Sequence, residues 1–87
     1  MAVHKIKLQT PLKVEGTEIN EITIRVPKVR DLIASSRAKG DLMEQGLALV
    51  ANLSEVSIEA LEEMDARDYL NIQNWLKDFL SLETNEN

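Results

Sequence analysis

The residues that most often perform chemistry in proteins are few in this chain and lie far apart. The chain has no cysteine and a single histidine, His4, near its N-terminus. A nucleophile needs a base held beside it, so the sequence offers neither a thiol mechanism nor a serine triad. We interpret His4 as a solvated residue near a chain end, because a metal ion needs several spaced ligands. The sequence therefore predicts no catalytic site, no metal site and no enzyme activity.

A group of acids precedes the last predicted helix and could suggest a cation site. Its members are Glu62, Glu63, Asp65 and Asp68. The group lacks the alternating Asp and Asn ligands and the turn glycine of a calcium loop. We interpret Asp65 and Asp68 as capping acids, because the free N–H groups and the dipole at the start of that helix favour negative charge there. The three glycines are isolated and cannot cradle a phosphate, so no cofactor is predicted.

The aromatic residues are the one group that suggests a binding surface, because all three fall in the last predicted helix. On a helical projection the core-facing stripe comprises Tyr69, Ile72, Leu76, Phe79 and Leu80. Two more apolar residues, Trp75 and Leu82, widen the apolar arc to roughly 160°. Either the hairpin and the second helix wrap this wide face, or part of it binds a partner helix. We predict partner binding by Ile72, Trp75, Phe79 and Leu82, and so small a surface would bind weakly unless repeated.

Alternating apolar and polar residues predict a β-hairpin over residues 5–26. The apolar positions with period two are Ile6, Leu8, Leu12 and Val14, then Ile22, Ile24 and Val26. Gly16 lies between the two runs and can adopt a positive φ, which suits a hairpin turn. Pro11 predicts a bulge or an unpaired edge position. A lone hairpin is marginally stable, so its apolar face must rest on helices.

The apolar period becomes helical after Pro27, which predicts a helical part over residues 29–82. A short first helix has Val29, Leu32, Ile33 and Ser36 on one side and ends at Gly40. Asp41 caps a second helix that runs to about Leu53, the best core helix, whose apolar arc comprises Leu42, Met43, Leu47, Leu49, Val50 and Leu53. Ser57 caps a third helix over Ile58–Met64, the last helix runs to about Leu82, and residues 83–87 form a flexible tail.

These elements predict an α+β fold: an N-terminal β-hairpin followed by three to four short α-helices. With 87 residues the chain is a single small domain, 1–87. A composition of 44% hydrophobic and 29% charged residues is typical of a globular protein, and no apolar run approaches the roughly 20 residues of a membrane helix. The polar alternation of residues 1–7 is unlike a secretion signal, so we expect a cytoplasmic protein that does not contact a membrane.

The two halves of the chain differ in charge. Residues 1–40 carry eight Lys or Arg against four Asp or Glu, and residues 41–87 carry two against eleven. Either the halves neutralise each other within the fold or copies associate head to tail. A pI near 4.8, with scattered basic residues, predicts no nucleic-acid binding.

The order of residues resembles that of a known family. The similar segments are 10–12 (Thr-Pro-Leu), 19–28 (Ile-Asn-Glu-Ile-Thr-Ile-Arg-Val-Pro-Lys), Asp31-Leu32, 49–54 (Leu-Val-Ala-Asn-Leu-Ser), 58–65 and 68–70 (Asp-Tyr-Leu). Together they span nearly the whole chain, and they resemble the tail assembly chaperones of P2-like and Mu-like phages, whose tails are contractile. No segment among them assigns contact residues.

The resemblance implies a phage or prophage tail assembly chaperone that binds the tape measure protein, keeps it soluble and promotes assembly of the tail tube. It implies the host bacterial cytoplasm as the location and absence from the mature virion. The implied partners are the long helical tape measure protein, the tail tube protein, a frameshifted longer form of the chain itself and further copies in a homo-oligomer. Two alternatives stay open: a small structural tail protein and a DNA-binding regulator, although the second helix has no Lys or Arg to contact DNA.

Overall fold

Two antiparallel strands and four helices make up the structure, a computed structural model that describes residues 3–80. The elements are β1 Val3–Val14, β2 Thr17–Arg25, α1 Val29–Ser36, α2 Leu42–Ser54, α3 Ile58–Glu62 and α4 Ala66–Leu80. The predicted fold class is confirmed: an N-terminal hairpin is followed by four helices in one small α+β domain. Leu82 and the tail predicted for residues 83–87 lie outside the described residues.

The hairpin turns at Glu15 and Gly16, as the sequence predicted. Both residues have positive φ, 51° and 82°, and Val14 pairs directly with Thr17. Two consecutive positive φ angles are typical of a type I′ turn, whose twist matches that of the strands. Glycine adopts this conformation without a steric cost.

One face of the hairpin is buried and the other is exposed. The buried residues are Ile6, Leu8, Leu12, Ile22 and Ile24. Helix α2 packs on β2, while α3 and α4 pack beside β1. The core is completed by residues of the last three helices and the loops between them, namely Val50, Leu53, Val56, Leu61, Met64, Tyr69, Ile72 and Leu76. A hairpin alone is marginally stable, so these helices provide the second layer that it needs.

A bulge in β1 connects the hairpin to α4. Residues 8–11 lie between the paired residues Lys7 and Leu12, whereas only Asn20 lies between their partners on β2. The prediction of a bulge at Pro11 is therefore confirmed. The backbone N–H groups of Gln9 and Thr10 donate to the Asp68 carboxylate at 2.9 and 3.1 Å.

Asp68 therefore has a different role from the one that the sequence suggested. It is buried and accepts hydrogen bonds from β1, 58 and 59 residues away, whereas capping was expected of it. Asp65 does cap α4, because its side chain accepts from the Arg67 backbone N–H at 2.8 Å. Hydrogen bonds from the Arg67 side chain and backbone, and from the Thr10 hydroxyl, hold the pKa of Asp65 well below its ordinary value.

A second buried carboxylate, Asp31, joins the end of β2 to α1 and α2. It accepts two hydrogen bonds from the Arg25 guanidinium, both at 2.8 Å, and one from the Lys28 N–H at 2.7 Å. The Asn52 amide of α2 donates a fourth at 2.8 Å. The bonds from Arg25, the larger cause, and from the Lys28 N–H hold the pKa of Asp31 far below its ordinary value despite its burial.

Helix α1 is oriented with its apolar side outward. Val29, Leu32 and Ile33 are 72%, 41% and 46% exposed, and the buried residue of the helix is Asp31. The helix ends at Ser36, four residues before Gly40, which lies in the following loop with a φ of 108°. The predicted helix is present, but its end was placed too late.

Only the second half of α2 enters the core. Asp41 caps the helix as predicted, and its carboxylate accepts from the Glu44 N–H at 3.0 Å. Val50 and Leu53 are buried, but Leu42 and Met43 are 84% and 59% exposed. The prediction that the whole apolar arc faces the core was therefore wrong for the first turn. The other predicted cap, Ser57 on α3, is confirmed by its bond from the Ala60 N–H at 3.1 Å.

We expect Asp68→Ala to lower the free energy of unfolding by about 2–4 kcal/mol, because two N–H donors of the bulge lose their acceptor. Urea unfolding followed by circular dichroism measures the change. Asp78→Ala is the matched control, since Asp78 is an exposed acid of the same helix. Its loss should change stability by less than about 0.5 kcal/mol. Equal midpoints for the two variants would contradict the role given to Asp68.

Protonation of Asp31 should make the protein less stable in acid. Its folded-state pKa lies below the value of about 3.9 in an unfolded chain. The stabilisation is therefore complete above about pH 4 and is lost as the pH falls towards the folded-state pKa. Below about pH 4 the urea midpoint of Asp31→Asn should fall less steeply than that of the wild type, while Glu21→Gln, at an exposed hairpin position, should follow the wild type. Parallel curves for Asp31→Asn and the wild type would refute this account.

Candidate partner-binding surfaces

Three stacked rings form a surface that we call the aromatic ridge, made of His4, Trp75 and Phe79. The centroids of His4 and Trp75 are 4.4 Å apart with 4° between the ring planes. Those of Trp75 and Phe79 are 5.3 Å apart with an angle of 20°. Trp75 and Phe79 are half-buried, so each packs on the protein and still presents part of its ring to solvent. His4 was interpreted as a solvated residue; it is exposed but stacks on Trp75.

The structure separates the four predicted contact residues. Trp75 and Phe79 lie together on one flank of α4, next to β1. Ile72 is 0% exposed and packs in the core, so it has no surface to offer in this conformation. Leu82 lies outside the described residues. Binding at this face therefore remains a prediction that now depends on Trp75 and Phe79.

A groove between α2 and α4, which we call the α2–α4 groove, is an apolar feature that the sequence did not predict. It encloses about 300 Å³, and an adjoining hollow of about 240 Å³ shares Met43 and Tyr69 with it. Its lining residues are Leu42, Met43, Gly46, Tyr69, Leu70 and Gln73. The helical period had placed Leu42 and Met43 in the core, so only their actual exposure reveals the groove.

The floor of the α2–α4 groove holds one neutral polar pair. The Gln73 amide donates to the Tyr69 hydroxyl at 2.7 Å, and both side chains approach Gly46 of α2. Burial raises the pKa of the Tyr69 hydroxyl, which therefore stays protonated at neutral pH. The exposed walls are Leu42, Met43 and Leu70. Methionine side chains adapt to partners of varied shape, so this groove suits the apolar face of a helix.

A third hollow, of about 480 Å³, runs between β1 and α4 beside the aromatic ridge. Its polar wall is formed by Asn71, Asn74 and Asp78 of α4, opposite residues 4–7 of β1. Within residues 3–80 no group of three or more His, Cys, Asp or Glu side chains is placed to hold a metal ion. The hollow offers hydrogen-bonding groups to a peptide.

The comparison with protein families is consistent with the exposed contact surfaces described above. Residues 5–81 match the model of the family described as phage tail assembly chaperone proteins, E, or 41 or 14. The chain belongs to this family. The match includes all of β2 and the four helices, and all of β1 except its first two residues. No curated protein and no solved structure matches the chain.

Membership indicates a non-enzymatic role in tail assembly, with protein partners. It does not say which surface of the chaperone they contact. None of the helices that the structure describes is long and apolar enough to cross a membrane. The candidate contact surfaces are therefore the aromatic ridge on one flank of α4 and the α2–α4 groove on the other.

We expect Ile72→Ala to lower the free energy of unfolding by about 2–5 kcal/mol, because it leaves a cavity in the core. Leu70→Ala, two residues earlier on the same helix and 54% exposed, should change it by less than about 1 kcal/mol. Denaturant unfolding of both variants tests the division between core and surface. A stable Ile72→Ala protein would return Ile72 to the list of partner contacts.

Proposed function

We propose that this chaperone binds the tape measure protein of its phage in the host cytoplasm, keeps it soluble and promotes assembly of the tail tube around it. The support is membership of the tail assembly chaperone family together with a half-exposed aromatic ridge on the last helix. The resemblance implies that the tape measure protein of such phages is long and helical. Its apolar stripes must therefore be shielded from water before the tube forms.

The aromatic ridge is the contact that we propose for the tape measure helix. Large rings that are partly packed lose little conformational freedom on binding and supply much of the contact energy at interfaces. Stacking on His4 and Phe79 holds the Trp75 indole in one orientation. Leu82 stays a contact predicted from the sequence alone, because it lies outside the described residues. A partner helix could then lay its apolar face along the ridge.

A single ridge would bind weakly, so we propose that several copies act together. Association costs on the order of 4–15 kcal/mol, and two half-exposed rings recover only part of it. A homo-oligomer whose copies line up along one long partner would gain affinity through effective concentration. The chaperone would then be released as tube subunits polymerise and would be absent from the mature virion.

Further partners follow from the same role. The tail tube protein would meet the chaperone when it displaces it from the tape measure protein. A longer form of the chain, made by translational frameshifting, would join the same oligomer through the shared domain. Mass spectrometry of purified particles tests the alternative of a structural tail protein, because a structural component would be present in stoichiometric amount.

Trp75→Ala should reduce the amount of tape measure protein kept soluble on co-expression, because the ridge loses its largest ring. The assay measures tape measure protein in the soluble fraction and its recovery with the tagged chaperone. Phe79→Ser should act in the same direction. Lys77→Ala, at an exposed position of the same helix between the two rings in sequence, is the control and should behave as the wild type.

Stability must be measured alongside, since Trp75 also packs on the protein. The prediction requires both ridge variants to retain the wild-type helicity by circular dichroism. Full solubilisation of the tape measure protein by folded Trp75→Ala and Phe79→Ser variants would remove the ridge as the contact.

A further inference from the structure

The apolar side of α1 is exposed and is a candidate binding surface. Val29, Leu32 and Ile33 have i, i+3 and i+4 spacing and point away from the protein, while Asp31 points inward, about 150° away around the helix. The inward side chain of α1 is a charged aspartate, and polar bonds hold the helix in place. The apolar stripe of α1 therefore does not contribute to the core. This spacing is the one by which a helix inserts into a groove of another molecule.

The α2–α4 groove has the shape and polarity to receive such a stripe. Its exposed walls are Leu42, Met43 and Leu70, and Glu62 is the charged residue that lines the adjoining hollow. Helix α1 of the same chain cannot fill it. Asp31 of that helix accepts from Asn52 of α2, and the loop after α1 contacts Gln45 of α2 through the Ala38 carbonyl. Asn52 and Gln45 lie roughly a third of a turn around α2 from the groove residues Leu42, Met43 and Gly46.

The charges around the two surfaces have opposite sign. Exposed basic residues surround the α1 stripe, namely Lys28, Arg30, Arg37 and Lys39. Exposed acids adjoin the groove, with Asp41 beside Leu42, and Glu62 and Glu63 at the end of α3. The two ion pairs within residues 3–80, Arg25–Asp31 and Arg67–Asp65, each join residues of the same half of the chain. The charge difference between the halves is therefore not neutralised by ion pairing between them in this part of the chain.

We propose that α1 of one copy docks into the α2–α4 groove of a second copy, with its basic flanks against the acidic rim. Two α1 helices would repel each other through their basic residues, so the contact is heterologous and each copy keeps one free α1 and one free groove. The result is an open row of copies. This deepens the proposed function, on which its purpose rests, because the aromatic ridge lies on the other flank of α4 and stays free for the tape measure helix.

The contact itself is a property of the isolated chain and can be tested without a partner. It is small, so we expect weak association whose average mass rises with protein concentration and falls with added salt, which screens the charges. Sedimentation velocity or light scattering over a concentration series measures this. A protein that stays monomeric up to its highest soluble concentration at low salt would overturn the proposal.

Two single substitutions test the two sides of the contact separately. Ile33→Asp damages the α1 stripe and Leu70→Asp damages the groove, and each should weaken self-association by about tenfold or more. An equimolar mixture should form a dimer and nothing larger, because one intact α1 meets one intact groove. The controls introduce the same charge at exposed neighbours, Ala34→Asp in α1 and Asn71→Asp in α4, and should associate as the wild type.

A charge exchange gives a second route that leaves the apolar walls intact. Arg37→Glu and Glu62→Lys should each weaken association, and mixing them should restore the contact between the exchanged charges. The proposal is wrong if the mixtures stay monomeric or if Ile33→Asp associates as the wild type. If Leu70→Asp loses the tape measure protein but keeps self-association, the groove belongs to the tape measure protein. If the rows form but the tape measure protein is not bound, the proposed function fails and this contact stands.

Discussion

Two buried carboxylates, Asp31 and Asp68, fix how the hairpin meets the helices. A buried charge is tolerated only when donors surround it, and both residues meet this condition with bonds to other elements. Asp68 accepts hydrogen bonds from the N–H groups that the β1 bulge leaves unpaired. Asp31 accepts hydrogen bonds from the end of β2, the start of α1 and the side of α2. Polar bonds thus set the arrangement, and several apolar side chains remain outside the core.

The free apolar surface has a consequence for function. A chain of this size has a thin core, and Leu42, Met43 and the stripe of α1 could have enlarged it had the helices been turned inward. They instead form two exposed surfaces in addition to the aromatic ridge. A soluble monomer seldom exposes so many large apolar side chains without a partner to cover them. An assembly chaperone with protein partners has a use for each of these surfaces.

The sequence predicted what is local and missed what is long-range. The strand alternation, the Gly16 turn and the caps at Asp41 and Ser57 depend on neighbouring residues, so their patterns were sufficient. Helical spacing shows which residues share a face but not which face meets the core, and this is why the first turn of α2 was misplaced. The role of Asp68 depends on backbone groups 58 and 59 residues away, which no local pattern can reveal. Helical spacing placed Ile72 both in the core-facing stripe and among the partner contacts, and only the packed helices show that it is fully buried.

The most direct test of the central claim is the molar mass of a complex between this chaperone and the tape measure protein of the same phage. The two proteins would be co-expressed and purified through a tag on the tape measure protein. Size-exclusion chromatography with light scattering would then give the number of copies bound. We predict several copies per partner and a partner that is soluble only in their presence. An insoluble tape measure protein, with the chaperone eluting alone, would contradict it.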